Sequence, residues 1–169
     1  MQSKKVVKMA DVKKRVNVLE RYVLLQLLPK EGTFANLKLL RVIREALSFN
    51  ESENRALQFR IESGDDGKPQ LRWNTLKLIN KKTKDIVKGT DATFSVMYDK
   101  DPDAFEVSKA CPDKAIFFGE VVEGMIAKAM KDLEKLDPPK LTVDHESLYE
   151  KFVLGAGAAE FPTNAPVKE

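Results

Sequence analysis

The sequence predicts an α+β fold that is mainly helical, with four to five helices, one β-hairpin and one or two further short strands. Three observations predict it. Apolar residues recur at helical spacing over residues 11–28, 34–47 and 119–136. The period shortens to two around Leu57, Phe59 and Ile61, and again from Gln70 to Asn74. Turn-forming clusters such as Ser63–Pro69 separate these runs.

Taken in order, Asp11 is placed to cap a first helix in which Val12, Val16, Leu19, Val23 and Leu27 follow at helical spacing. Pro29 and Gly32 end it. Thr33 caps a second helix, Phe34 to Leu47, whose apolar face is Phe34, Leu37, Leu40, Ile43 and Leu47. Asn50 or Ser48 caps a short third helix through about Leu57. The hairpin follows, with Trp73 on the core side beside Phe59 or Ile61. Thr93 to Tyr98 reads as a strand, Asp99–Asp103 as an acidic turn, and Ala104–Ala110 as one or two helical turns. Ala115–Phe118 is a short strand before a long helix to Leu136, stopped by Pro138 and Pro139. Thr142 caps a last helix, Val143 to Val153, with Leu148, Phe152 and Tyr149 inward.

This gives a basic N-terminal arm (1–10), one α+β domain (11–154) in which 76–114 is an insertion on a simpler core, and an Ala/Gly/Pro-rich tail (155–169) that is ordered only if Phe161 docks. The 169 residues are enough for one compact domain with a real core. Helix, helix, short helix and hairpin over 11–74 is also the element order of a winged-helix module.

The net charge of +3 is unevenly spread. Lys4, Lys5, Lys8, Lys13, Lys14 and Arg15 face only Asp11 in the first stretch, which leaves the rest of the chain slightly acidic. These six are the candidate nucleic-acid contacts. Against that use, the helix that would enter the groove begins with Glu51 and Glu53, and the wing tip carries Asp65 and Asp66. The basic start lacks the apolar core of a secretory signal, and no run is long enough to span a bilayer. A single cysteine allows no internal disulfide, so a reducing, cytoplasmic compartment is expected.

Catalytic chemistry is sparse. Nucleophilic catalysis needs a nucleophile, a base and a group to orient the base. The chain offers one cysteine, Cys111, and one histidine, His145. Asp99, Asp101, Asp103 and Glu106 are spaced like part of a calcium loop but lack its central glycine and terminal bidentate glutamate. GAGAAE at 155–160 has no following Lys-Ser/Thr, so it is not a phosphate loop. No catalytic residue, cofactor or metal is therefore expected. Met125 and Met130 lie on the apolar stripe of the long helix, which packs in the core unless it is wider than one domain can cover, when it becomes a dimer face.

Four stretches together resemble a group of small uncharacterised proteins encoded by tailed phages and prophages. They are VNVLERYVLLQLLPKEGTFANLKLLRVIREALSFNESE, WNT at 73–75, IFFGEVVEGMIAKAMKDLEKL and LTVDHESLYEKFV. The resemblance covers roughly residues 16–75 and 115–153, with 76–114 inserted relative to the shorter relatives. That group has no assigned activity, so the resemblance implies only a setting: a phage or its bacterial host, in the cytoplasm or in a virion. The expectation is a non-enzymatic accessory or structural protein that contacts a host or phage protein, or itself as a homodimer. The alternatives are nucleic-acid binding through the arm and the helix–hairpin module, and an enzyme using carboxylates.

Overall fold

The structure is a computed structural model that describes residues 12–155. It is α+β and mainly helical, with six α-helices and three two-stranded antiparallel sheets among the described residues. The chain divides into two compact units. One is Phe49–Pro112, and the other takes the described residues before and after it. The division differs from the expected single domain with an insert at 76–114, because the second unit begins at Phe49 and includes the third helix and the hairpin. The helices and wing of the winged-helix order are accordingly shared between two units.

The first unit contains β1 (Lys14–Val16), α1 (Val18–Leu27), α2 (Phe34–Leu47), β6 (Lys114–Ile116), α5 (Gly119–Lys135) and α6 (Glu146–Phe152). Here the first expectation is corrected. Residues 14–16 are not helical; they pair antiparallel with 114–116, Arg15 opposite Ala115. The helix starts six residues later than expected, at Val18, because Asn17 and Glu20 form a capping box. The Asn17 side chain accepts from the Glu20 N–H at 2.8 Å, and the Glu20 carboxylate accepts from the Asn17 N–H at 3.0 Å. Val12 therefore lies outside the helix, and exposed.

The core joins Val16, Leu24 and Leu28 to Leu40, Ile43 and Leu47 of α2, Val122, Ile126 and Met130 of α5, and Leu148 and Phe152 of α6. The methionine stripe of α5 is thus core, with Met130 fully buried and Met125 packed at its edge. Phe118 and Phe152 meet edge to face, centroids 5.0 Å apart. The last helix begins with a 3₁₀ turn, Val143–His145, and becomes α-helical only at Glu146. The expectation that Phe34 and Leu37 share the buried face of α2 is corrected as well, since both are exposed. The core reaches that helix only from Leu40 to Leu47.

Two fully buried charged residues, Arg21 and Glu20, organise this unit. Arg21 donates from Nε to the Leu47 carbonyl at 3.0 Å and from Nη2 to the Ser48 carbonyl at 2.7 Å. Lys114 Nζ donates to the neighbouring Ala46 carbonyl at 2.6 Å. The last carbonyls of a helix have no partner within it and carry the negative end of its dipole, so two cations satisfy both needs at the end of α2. Glu20 accepts from Ser147 Oγ at 3.1 Å and from Lys151 Nζ, which ties α1 to α6.

The second unit contains α3 (Glu51–Leu57), β2 (Arg60–Ser63), β3 (Pro69–Arg72), β4 (Leu76–Asn80), α4 (Asp91–Lys100) and β5 (Phe105–Lys109). The hairpin β2–β3 pairs Ile61 with Leu71, and its turn uses Gly67 at a φ of 76°, where a side chain would be strained. Phe59 packs against Trp73 at 6.0 Å and against Phe49 at 5.2 Å, while Ile61 is exposed. Two expectations fail in this unit. Thr93–Tyr98 is helical, inside α4, and Ala104–Ala110 contains the strand β5, whose Val107 lies opposite Leu78 of β4. Thr90 caps α4 and Phe94 is its one buried residue. A single apolar anchor leaves no helical stripe to read, so the β-branched and aromatic content of the segment misled. FEVSK becomes a strand because β4 offers it a ladder, which is a partner distant in sequence.

Candidate functional site

Of the six candidate nucleic-acid residues, Lys4, Lys5 and Lys8 lie outside the described residues. Lys13 and Arg15 are exposed. Lys14 points inward: it is buried, bonded to Glu123 of α5 at 2.6 Å, and its ammonium lies 5.4 Å from the centre of the Phe152 ring. Strand alternation explains the split, since Lys14 and Val16 face in and Arg15 faces out. The short helix α3 carries its acids as read: Glu53 completes the capping box with Asn50 and Glu51 pairs with Arg55 at 2.8 Å.

Cys111 is buried in the second unit, and its thiol donates to Glu53 Oε2 at 3.0 Å. His145 belongs to the first unit. Its Nδ1 accepts from the Thr142 N–H at 3.0 Å, which places the ring proton of the neutral imidazole on Nε2 and makes the ring part of the helix start. His145 lines a cleft of about 390 Å³ together with Glu134, Leu141, Thr142, Tyr149, Glu150 and Leu154. The Tyr149 hydroxyl donates to Glu134 Oε2 at 2.6 Å, and that bond raises its pKa, with burial acting the same way. The phenol is thereby held protonated, the opposite of what a nucleophile or base requires. The carboxylates of the acidic turn are spread over three elements: Asp99 in α4, Asp101 and Asp103 beyond it, Glu106 in β5. Among the described residues, no three His, Cys, Asp or Glu side chains are gathered as metal ligands.

The feature that sequence reasoning missed is the outer side of α2. Phe34 is 78% exposed, Val42 63% and Leu39 44%. Ala35 is also exposed, while Ala46 is half-buried at the edge of the core, against which it packs. Ala35, Leu39, Val42 and Ala46 lie at steps of four, three and four, so they form one stripe beside the buried face of Leu40, Ile43 and Leu47. The signal was in the sequence: FANLKLLRVIREAL has apolar residues on more than one helical stripe. Only packing tells which stripe is covered. Cations from other elements hold the C-terminal end of α2, so the stripe is presented on a firmly seated helix. No described helix is long and apolar enough to cross a membrane. Comparison with known protein families, with curated proteins and with solved structures finds no match for this chain.

Proposed function

We propose that this chain works by protein–protein contact, without chemistry of its own, and that the outer stripe of α2 is the surface that makes the contact. The observation that carries the reading is the exposure of Leu39 and Val42, together with Phe34, along one anchored helix. Large apolar side chains grouped on one surface are the usual signature of an interaction site, whereas scattered ones need no explanation. In the cleft beside His145, the histidine is bonded to Thr142 and Tyr149 to Glu134, so these side chains are engaged within the unit. The resemblance read from the sequence makes a tailed phage or its bacterial host the setting for the partner.

The test is retention of bacterial host proteins, and of free copies of the chain itself, on the immobilised chain, with and without Val42→Lys. The side chain at 42 is exposed, so the variant keeps its helical circular dichroism. A partner held by the original chain and lost from the variant is the expected result. An unchanged set of retained proteins overturns the assignment to α2.

A further inference from the structure

We propose that the partner of the α2 stripe is α2 of a second copy of this chain, with the two helices antiparallel. The inference rests on the contact reading above and names its occupant. The spacing of Ala35, Leu39, Val42 and Ala46 is that of a coiled-coil seam. With Leu39 and Ala46 at the a positions and Ala35 and Val42 at d, Lys38 and Glu45 both fall at g, beside the seam on its solvent side. Both are exposed.

Two antiparallel helices related by a two-fold axis bring g against g. Lys38 of each copy then meets Glu45 of the other, so one surface carries both halves of two ion pairs. The seam layers are Leu39 on Val42 of the other copy at the centre and Ala35 on Ala46 at the ends, where small side chains let the backbones approach. A parallel pair offers no such match, because Lys38 would face an e position, and residue 43 there is an isoleucine buried in the core. The other charges nearby do not oppose the pairing. Arg41 bonds to Glu45 within the helix at 3.2 Å, on the side away from the seam, and Arg44 turns to the Pro29 carbonyl. The seam spans only about three helical turns, so the dimer is weak, with a dissociation constant about micromolar or higher.

Sedimentation of the full chain over a range of concentrations tests this. The original chain is expected to pass from monomer to dimer as concentration rises. Lys38→Glu and Glu45→Lys each set like charges opposite one another twice, and each is expected to weaken association about tenfold or more. An equimolar mixture of the two variants is expected to recover a dimer, because in each mixed pair the new glutamate faces the new lysine and Glu45 of one copy faces Lys38 of the other. That recovery cannot come from a folding defect. A chain that stays monomeric at every concentration overturns the inference, as does a dimer indifferent to both substitutions or a mixture no tighter than its components. None of these outcomes touches the wider contact reading, which falls separately if Val42→Lys leaves partner capture unchanged.

Discussion

The two units are held together by different means. The first is a helical assembly around one continuous apolar core that draws on α1, α2, α5 and α6, with its buried charges set at helix ends. The second buries few large side chains, chiefly Leu57, Leu78 and Phe94, and fastens its loops with polar straps. Asn74 is fully buried there. It donates from Nδ2 to the Gly89 carbonyl at 2.9 Å and accepts from Arg60 Nη1 at 2.9 Å, while its backbone N–H reaches the Leu57 carbonyl at 2.7 Å. Gln58 straps the same loop, donating to the Val87 carbonyl and accepting from the Gly89 N–H. Asp91 accepts from the backbone N–H groups of Thr75 and Leu76 and from the Thr75 hydroxyl at 2.8 Å. The difference teaches that a unit with short elements and a thin core gains its definition from fully satisfied hydrogen bonds, whose loss is costly because the groups left behind are buried.

Three substitutions separate the two modes, read as amide-exchange protection in each unit. The largest effect is expected from Leu24→Ala, which opens a cavity under a fully buried side chain and costs about 2–5 kcal/mol in the helical unit. A loss below about 1 kcal/mol there would contradict a close-packed core. Asn74→Ala comes next, at about 1–3 kcal/mol, because the Gly89 carbonyl and Arg60 lose a buried partner. Protection should fall around residues 57–60 and 87–91, and a change confined to residue 74 would show that the straps are incidental.

The smallest effect is pH-dependent. Burial pushes the Asp91 carboxyl up, but the hydrogen bonds from Thr75 and Leu76 and the nearby Arg60 outweigh it and lower its pKa below the ordinary 3.8. A folded-state pKa below the unfolded one stabilises above the unfolded value, and the gain disappears as pH falls through the lower folded value. Protection of the Thr75 and Leu76 amides should therefore weaken below about pH 4, by less than about 1 kcal/mol given the exposure of the group. Asp91→Asn should flatten that acid dependence; a profile identical to the original chain would assign it to another carboxylate.

Much of the helical content was legible because its signals are local. Thr33 and Asn50 sit three residues before the N–H groups that they accept from, so α2 and α3 have their starts written within one turn. The long apolar period of α5 likewise needs nothing from elsewhere. The start of α1 was legible too, in Asn17 followed by Glu20, but Asp11 offered a competing cap and nothing local revealed that residues 14–16 would pair with a strand a hundred residues away. Tertiary structure alone decided β1, the strand at Phe105–Lys109 and the helix over Thr93–Tyr98, because each depends on a distant partner or on a single buried anchor. It also decided the candidate surface. The sequence by itself determined that α2 is an apolar-rich helix between Thr33 and Ser48. Which of its stripes meets the core, and which is left outside, is set by the direction in which neighbouring helices approach, and that direction is a property of the packed unit rather than of any local run of residues.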